Sequence, residues 1–354
     1  MSSQFGQLFR ISTFGESHGT GLGVIIDGMP AGIDLDIDLI QKDMDRRRPG
    51  TSKWVTQRKE TDQIQILSGV ANGKTLGSPI ALMVINQDAR SKDYSSIAHL
   101  FRPGHADYTY FKKYGLKLQP GGGRSSGRET LARVAAGAVA KALLQPLKIE
   151  IQAYTLSIGD VCSEFIDPAF SQTHPLRCAD PNKAEDMLAL VDQVRNEGNS
   201  IGGVVQVVAH NVPPGFGEPV FHKLDAMLAM GLISIGAVKG IEFGTGFNAA
   251  KMKGSEHNDQ ITPNGFDSNN AGGILGGISN GDSIVMQLAI KPTPSISISQ
   301  ATIDHDKNPE MITIKGRHDP CICSRICPVA EAMTAIVLAD AYLLNQRQLF
   351  GESS

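Results

Sequence analysis

The chain has 354 residues, long enough for one large domain or two. Its net charge of −3 gives no global preference for nucleic acid or an anionic membrane surface, so basic residues must act locally. No apolar run has membrane-spanning length, and five cysteines, an odd number, argue against a disulfide framework. Neither a charged leader nor an apolar signal segment is visible near the N-terminus, so a cytoplasmic location is expected.

Residues 6–12 read as a short strand running out into Gly15-Glu16-Ser17-His18-Gly19, where flanking glycines put Ser17 and His18 on a turn. Val24-Ile25-Ile26 is a second strand. The acidic start Asp34-Leu35-Asp36, followed by Leu39, Ile40 and Met44, predicts a helix running into Arg46-Arg47-Arg48-Pro49-Gly50. Basic residues suit a helix C-terminus. Three in a row, then Lys53, Arg58 and Lys59, exceed what a cap requires and leave a second anion site or a mobile basic loop equally open. Residues 63–70 and 80–85 read as strands and 86–100 as a loop.

The stretch 102–137 is the most informative. Arg102-Pro103-Gly104-His105-Ala106-Asp107 leads through a tyrosine-rich connection to Pro120-Gly121-Gly122-Gly123-Arg124-Ser125-Ser126-Gly127-Arg128-Glu129. Leu131, Val134, Ala135, Ala138 and Val139 then recur at helical spacing until Pro146. Ser126 and Glu129 have capping-box spacing, which predicts a helix start near Gly127. A helix start carries unpaired N–H groups and partial positive charge. With Arg124 and Arg128 beside it and glycines allowing close approach, that end suits a phosphate or carboxylate. A capped core helix behind an exposed loop is the plainer alternative.

Residues 149–154 alternate as a strand, 184–197 form a helix stopped by Gly198, 204–208 a strand and 224–232 a helix. A second glycine-rich loop covers 268–281, a strand 283–291, and a long apolar helix 329–344. Helices and strands that do not strictly alternate predict an α+β fold, and no linker or repeat divides it, so one domain over 1–354 is expected.

The phosphate-loop motif is absent, and Gly244-Thr245-Gly246-Phe247-Asn248-Ala249 lacks the long following helix of a dinucleotide fold. His318, Cys321, Cys323 and Cys327 do not have zinc spacing; reduced structural thiols and no metal are expected. His18 and His105 sit in glycine-flanked turns alongside arginine-rich segments, as acid–base groups working near neutrality would. Ser17-His18 is not a hydrolase signature, since adjacent residues rarely point their side chains at each other. Asp319 reads either as a helix N-cap or turn residue, or as a site carboxylate beside Arg317.

Together, the stretches 15–19, 46–50, 102–107, 121–137, 271–277 and 316–321 closely resemble the signature segments of chorismate synthases, in the same order from about residue 5 to 345. The resemblance implies a β-α-β sandwich, helices layered between antiparallel sheets, assembled as a homotetramer. It implies the last step of the shikimate pathway, a 1,4-anti elimination of phosphate from 5-enolpyruvylshikimate 3-phosphate that needs reduced FMN. By similarity, Arg48, Arg102, Arg128 and Arg317 surround the substrate. The flavin is lined by Arg124, Ser125, Ser126, Gly236, Ala237, Gly276, Lys291, Pro292, Thr293, Pro294, Ser295 and Arg317. Arg47 matches a position linked to a nicotinamide dinucleotide phosphate, with NADPH expected to act only indirectly, through an external flavin reductase.

The same resemblance assigns His18 to protonating the leaving phosphate, His105 to controlling flavin protonation, Asp319 to assisting proton removal, and Ser17 and Ser126 to holding the relay. Gly236 stands where Asn is expected, Asn270 where His, Pro294 where Ser and Lys53 where Arg is common. Two other classes stay open: a phosphate-binding enzyme such as a kinase, and a non-enzymatic flavin-binding oligomer.

Overall fold

The computed structural model describes residues 2–48, 50, 54, 61–86, 99–116, 120–314 and 318–347. Among these residues there are eight α-helices: α1 (Ile37–Arg47), α2 (Asp107–Tyr114), α3 (Thr130–Leu144), α4 (Pro168–Thr173), α5 (Ala184–Asn196), α6 (Leu224–Ile233), α7 (Gly254–His257) and α8 (Cys323–Asn345). Two five-stranded antiparallel sheets enclose the main ones. The first runs, in spatial order, Gln4–Phe5, Arg10–Gly15, Gly21–Asp27, Ile80–Ile85, Ile64–Ser68. The second runs Val238–Phe243, Ile284–Ile290, Gly203–His210, Glu150–Ile158, Val161–Cys162.

Between the sheets lie α3 and α8, packed on each other, with α3 against the first sheet and α8 against the second. Both are apolar nearly all round, as a helix covered on every side must be. Their small residues allow a close crossing: a Cβ added to Gly137 would lie 2.3 Å from Ala332 Cβ. Contrary to the reading that no apolar run has membrane-spanning length, α8 is long and apolar enough to cross a membrane; 89% of its most apolar window is buried inside the protein, which makes it a core helix. The expected α+β class and layered sandwich are therefore the observed ones.

Several local expectations differ. The strand expected at 6–12 lies at Arg10–Gly15, because the N–H groups of Gln7, Leu8 and Phe9 bind the Asp340 carboxylate instead of a ladder. The tyrosine-rich connection is α2, ended by Gly115 at φ 67. α8 begins six residues before Val329, carrying Pro328 inside it. The capping box is half formed. Ser126 Oγ caps the Arg128 N–H at 3.3 Å, but 127–129 make a 3₁₀ turn, α3 starts at Thr130, and Glu129 turns to Arg133 instead. The strand Val238–Phe243 and the hairpin Gln300–Ile303/Pro309–Ile312 had no matching expectation.

One ion network ties three helices to the second sheet. Glu331 on α8, 2% exposed, takes Arg46 of α1 in bidentate fashion at 2.6 and 2.7 Å, Lys141 of α3 at 3.3 Å and the Ala153 N–H at 3.1 Å. Asp43 shares both cations. Burial pushes the Glu331 carboxyl up, but the charge of Lys141 and the Arg46 hydrogen bonds outweigh it and hold it below the usual carboxylate range. The unfolded chain therefore takes up this proton first as pH falls. The network's contribution is complete above the unfolded pKa and is lost as pH drops through the folded one. Glu331→Gln is expected to cost about 3–5 kcal/mol at pH 7, the usual cost of breaking a buried pair. It should also flatten the fall of stability below about pH 4, read by urea unfolding across pH.

Candidate functional site

A cavity of about 800 Å³ lies where the N-terminal ends of α3 and α8 meet the C-terminal end of α6. Both N-termini contribute partial positive charge. Seven cations line it: Arg47, Arg102, Arg124, Arg128, Arg133, Lys291 and Arg325. Four carboxylates hold five of them, Glu129 and Asp319 in the wall and Asp62 and Asp107 behind it, while Arg124 and Lys291 bond neutral oxygens. Among the described residues the cations of the site thus outnumber its carboxylates by three.

Asp62 lies just ahead of strand Ile64–Ser68, at φ 45, with its side chain wholly buried. One oxygen takes Arg47 at 2.9 Å and the other Arg128 at 2.8 Å. Arg47 is itself 1% exposed, its guanidinium also within 3.4 Å of the Gly127 carbonyl and Thr130 Oγ1. Burial pushes it down to about 10 against the pull of Asp62, with Arg325 and Arg128 adding repulsion. Arg47 thus braces the start of α3 from beneath.

Arg102 grips Asp107, the first residue of α2, through Nε at 2.6 Å and Nη2 at 2.8 Å. His105 Nδ1 lies 2.6 Å from the same carboxylate, so Nδ1 carries a proton and Nε2 is the nitrogen left to exchange one. Burial works against the Asp107 charge, but hydrogen bonds from Arg102 and His105 hold its carboxyl well below the usual range. Gly122, at φ 90, lets the glycine-rich turn pass close by: a Cβ there would lie 3.2 Å from His105 Cε1.

Arg124 reaches back to the strand Arg10–Gly15, bonding Thr13 Oγ1 at 2.6 Å and the carbonyls of Thr13 and Gly15 at 3.3 and 3.2 Å. All its partners among the described residues are neutral, so its charge is available to a ligand. Lys291 donates to the Gly104 carbonyl at 2.6 Å and joins 291–295 to the histidine loop; burial, then the charge of Lys239, pushes its ammonium pKa down. Asp319 pairs with Arg325 at 2.6 Å, while its carbonyl takes Thr293 Oγ1 at 2.8 Å. It precedes the α8 N-cap, Ile322, by three residues, which excludes the helix-cap reading.

Ser17 and His18 do face each other, Oγ to Nδ1 at 3.1 Å, against the expectation for neighbours; the tight turn 16–19 folds both side chains together. Asn86 ties that turn to the cavity. Its Nδ2 donates to the carbonyls of Glu16, Ser17 and Gly19, and its Oδ1 accepts from Arg128 Nε at 2.9 Å.

Arg102, His105, Arg124, Ser125, Ser126, Arg128, Gly236, Ala237, Lys291, Thr293, Pro294, Ser295 and Asp319 converge on the cavity. Pro292 packs near Gly202. Arg48, 40% exposed, pairs with Asp45 at 3.7 Å as the α1 C-cap, outside the lining. Gly276 sits in the hairpin that meets Lys223, at the opposite end of α6 from Met230, Ser234 and Gly236. Asn270 is held by Asp259 and Glu256 away from the lining. At Gly236 open space surrounds the missing Cβ, so the larger residue expected there would fit. Arg317 and Lys53 lie outside the described residues. Asp62, Asn86, Thr13, Arg133 and Arg325 were not legible as site residues; Glu129 was legible only as a cap.

An antiparallel α+β sandwich with a polycationic cavity between its helices is the make-up of an enzyme that handles a multiply charged anion. The profile of the family described as chorismate synthase matches residues 9–343. Chorismate synthases of Nitratidesulfovibrio vulgaris are similar throughout: those of strains DP4 and Hildenborough are 54% identical over 342 residues, 97% of each chain. That of strain Miyazaki F is 52% identical over 346 residues, 97% of this chain and 98% of the relative. A crystal structure of chorismate synthase superposes with a TM-score of 0.77 at 34% identity, covering 96% of this chain and 93% of that one. The chain belongs to the chorismate synthase family. It is a carbon–oxygen lyase, and its reaction is the family's: loss of phosphate from 5-enolpyruvylshikimate 3-phosphate to give chorismate, at the end of the shikimate pathway.

Removing the buried carboxylate should leave two arginines sharing a largely buried position with no anion between them. Asp62→Ala is expected to lose about 3–5 kcal/mol of stability. Arg47→Met/Asp62→Leu together should lose less than Asp62→Ala alone, because only Arg128, the less buried of the two arginines, then lacks its carboxylate. Chemical denaturation of the three proteins compares them.

Proposed function

We propose that this cavity holds reduced FMN and the enolpyruvyl substrate side by side. The supporting observation is the cluster of seven cations, five fixed on carboxylates and two, Arg124 and Lys291, on neutral oxygens among the described residues. The substrate brings a phosphate and two carboxylates, the flavin another phosphate, and guanidinium forks suit such groups. A flavin fits the residues present: Arg124 meets only neutral acceptors, Gly122 opens the wall beside His105, and the 234–237 turn leaves room at Gly236.

Arg124 to Ser126, Gly236, Ala237, the lining residues of the 291–295 segment and Arg317 are read as flavin contacts, and Arg102, Arg128 and Arg317 as substrate contacts; Arg48 and Gly276, expected as contacts, stand outside this lining. Reduced FMN, when bound, would supply electron density for C–O cleavage without net redox change. His18, supported by Ser17, donates the proton to the leaving phosphate. His105 exchanges a proton through Nε2 while Asp107 holds the ring, and Asp319, fixed by Arg325, assists removal of the C6 proton. Ser126, whose hydroxyl caps the turn before α3, completes the relay. Arg47 is read as bracing rather than holding a dinucleotide, and NADPH as acting through a separate reductase. We place the working enzyme in the cytoplasm as one domain.

We read the assembly as a homotetramer. The outer face of the first sheet supports self-association: Phe14, Ile25 and Ile85 are 38, 43 and 47% exposed. They share that face, with Phe14 opposite Gly23, Ile25 opposite Ala81, and Gly21 opposite Ile85. Exposed apolar patches of this kind mark interfaces. Ile25→Asp should lower the mass measured by light scattering; a monomeric wild type would reject this assembly.

Anaerobic incubation with reduced FMN and 5-enolpyruvylshikimate 3-phosphate, following phosphate release and chorismate absorbance, tests the chemistry. His18→Ala and His105→Ala should each slow turnover roughly 10²–10⁴-fold, the usual contribution of a placed acid or base. Near-normal turnover in both would sink those roles. Flavin binding without product would favour the scaffold reading, and NADPH consumption by the pure protein with oxidised FMN would reject the need for a separate reductase.

A further inference from the structure

The C-terminal end of α6 continues into a turn, 234–237, that forms one wall of the cavity. Its last residue, Ala237, has φ 77. A residue with a Cβ seldom adopts that conformation unless its surroundings impose it. Two braces are visible. The Lys291 N–H donates to the Ala237 carbonyl at 2.9 Å. On the other side, Arg133 of α3 forks onto Ser234, with Nη1 on the hydroxyl at 2.6 Å and Nη2 on the carbonyl at 3.3 Å. The hydroxyl in turn donates to the Gly231 carbonyl at 2.6 Å, which fixes its proton and leaves its lone pairs to Arg133.

Arg133 is itself aimed. Its Nε binds Glu129 Oε2 at 2.9 Å, one helical turn away, and the pair is largely buried, at 17 and 11% side-chain exposure. The other oxygen of Glu129 takes a longer contact, 3.4 Å, from Thr13 Oγ1, the hydroxyl that receives Arg124 at 2.6 Å. One carboxylate thus stands behind both the Arg124 wall and the 234–237 wall. Two of the arginines read as substrate contacts, Arg102 and Arg128, line the same cavity and rest on different carboxylates, Asp107 and Asp62.

We propose that Arg133, aimed by Glu129, is a positioning residue for the flavin: it holds the strained 234–237 turn in its binding shape. This rests on the reading of that turn as a flavin contact. The division of carboxylates makes its signature selective, because loss of the brace should weaken the flavin and spare the substrate.

The test measures oxidised FMN affinity by the change in flavin absorbance or fluorescence, and KM for the enolpyruvyl substrate at saturating reduced FMN. Arg133→Gln should weaken FMN about tenfold, the order of one lost charge-assisted hydrogen-bond set, with KM changed less than twofold. Ser234→Ala should give a smaller loss of the same sign, and should add nothing in the Arg133→Gln background, since both remove the same link. Arg133→Lys, which keeps charge but not the fork, should recover little. Should Arg133→Gln fail to fold by circular dichroism, Ser234→Ala carries the test alone. Unchanged FMN affinity in folded variants, or KM rising as far as the FMN dissociation constant, overturns the proposal. A wild type that binds no FMN would instead reject the flavin reading itself.

Discussion

Asp62 is the charge on which the rest of the site leans. A carboxylate with no exposed side-chain surface is tolerable only with partners of opposite sign, and it has two. Arg47 binds it from the end of α1 and Arg128 from the turn before α3, so a single desolvated anion joins the edge of the first sheet to both helices. Sharing one carboxylate between two guanidiniums leaves a net positive charge, and leaves it where α3 adds its own N-terminal polarity. The left-handed backbone at Asp62 is accepted by aspartate more readily than by most residues.

The other carboxylates repeat that arrangement with different arginines. Asp107 organises Arg102 and His105, Glu129 organises Arg133, and Asp319 is paired with Arg325. Each guanidinium is thus oriented before any ligand arrives. Little reorganisation is left for the moment when phosphate charge develops, which is the condition under which fixed charges stabilise a transition state most. Arg124 is the exception, oriented only by neutral oxygens, and it keeps the most charge to offer.

What could be read in the sequence follows the range of the interactions. The glycine–arginine–serine run, the buried helix behind it and most long strands have local signals: spacing, caps and alternation. Asp62 has none, since its partners stand 15 and 66 positions away and nothing in Thr61-Asp62-Gln63 marks a buried anion. Arg325 is hidden in the opening of α8, ahead of the expected start at Val329; the buried first turns carry the helix through Pro328. α2 was obscured because its aromatic residues are poor helix formers in isolation. Phe111 stacks on His305 at 4.9 Å, and Phe101 lies 5.0 Å from the same ring, so the hairpin opposite supplies what propensity does not. The facing side chains of Ser17 and His18 were unreadable because Asn86, far along the chain, closes that turn.

The crossing at Gly137 has a consequence for size selection. Thr130 and Arg133 project from α3, while Arg325, Val329 and Met333 come from α8, and all of them line the cavity. The separation of the two helix axes therefore acts as a calliper on the width of that chamber, and a hydrogen in place of a side chain sets its closed limit. A homologue with a bulkier residue at this position would open the calliper from below. It would shift the charged tips of Arg133 and Arg325, which these two helices carry, without altering a single residue that meets the ligand.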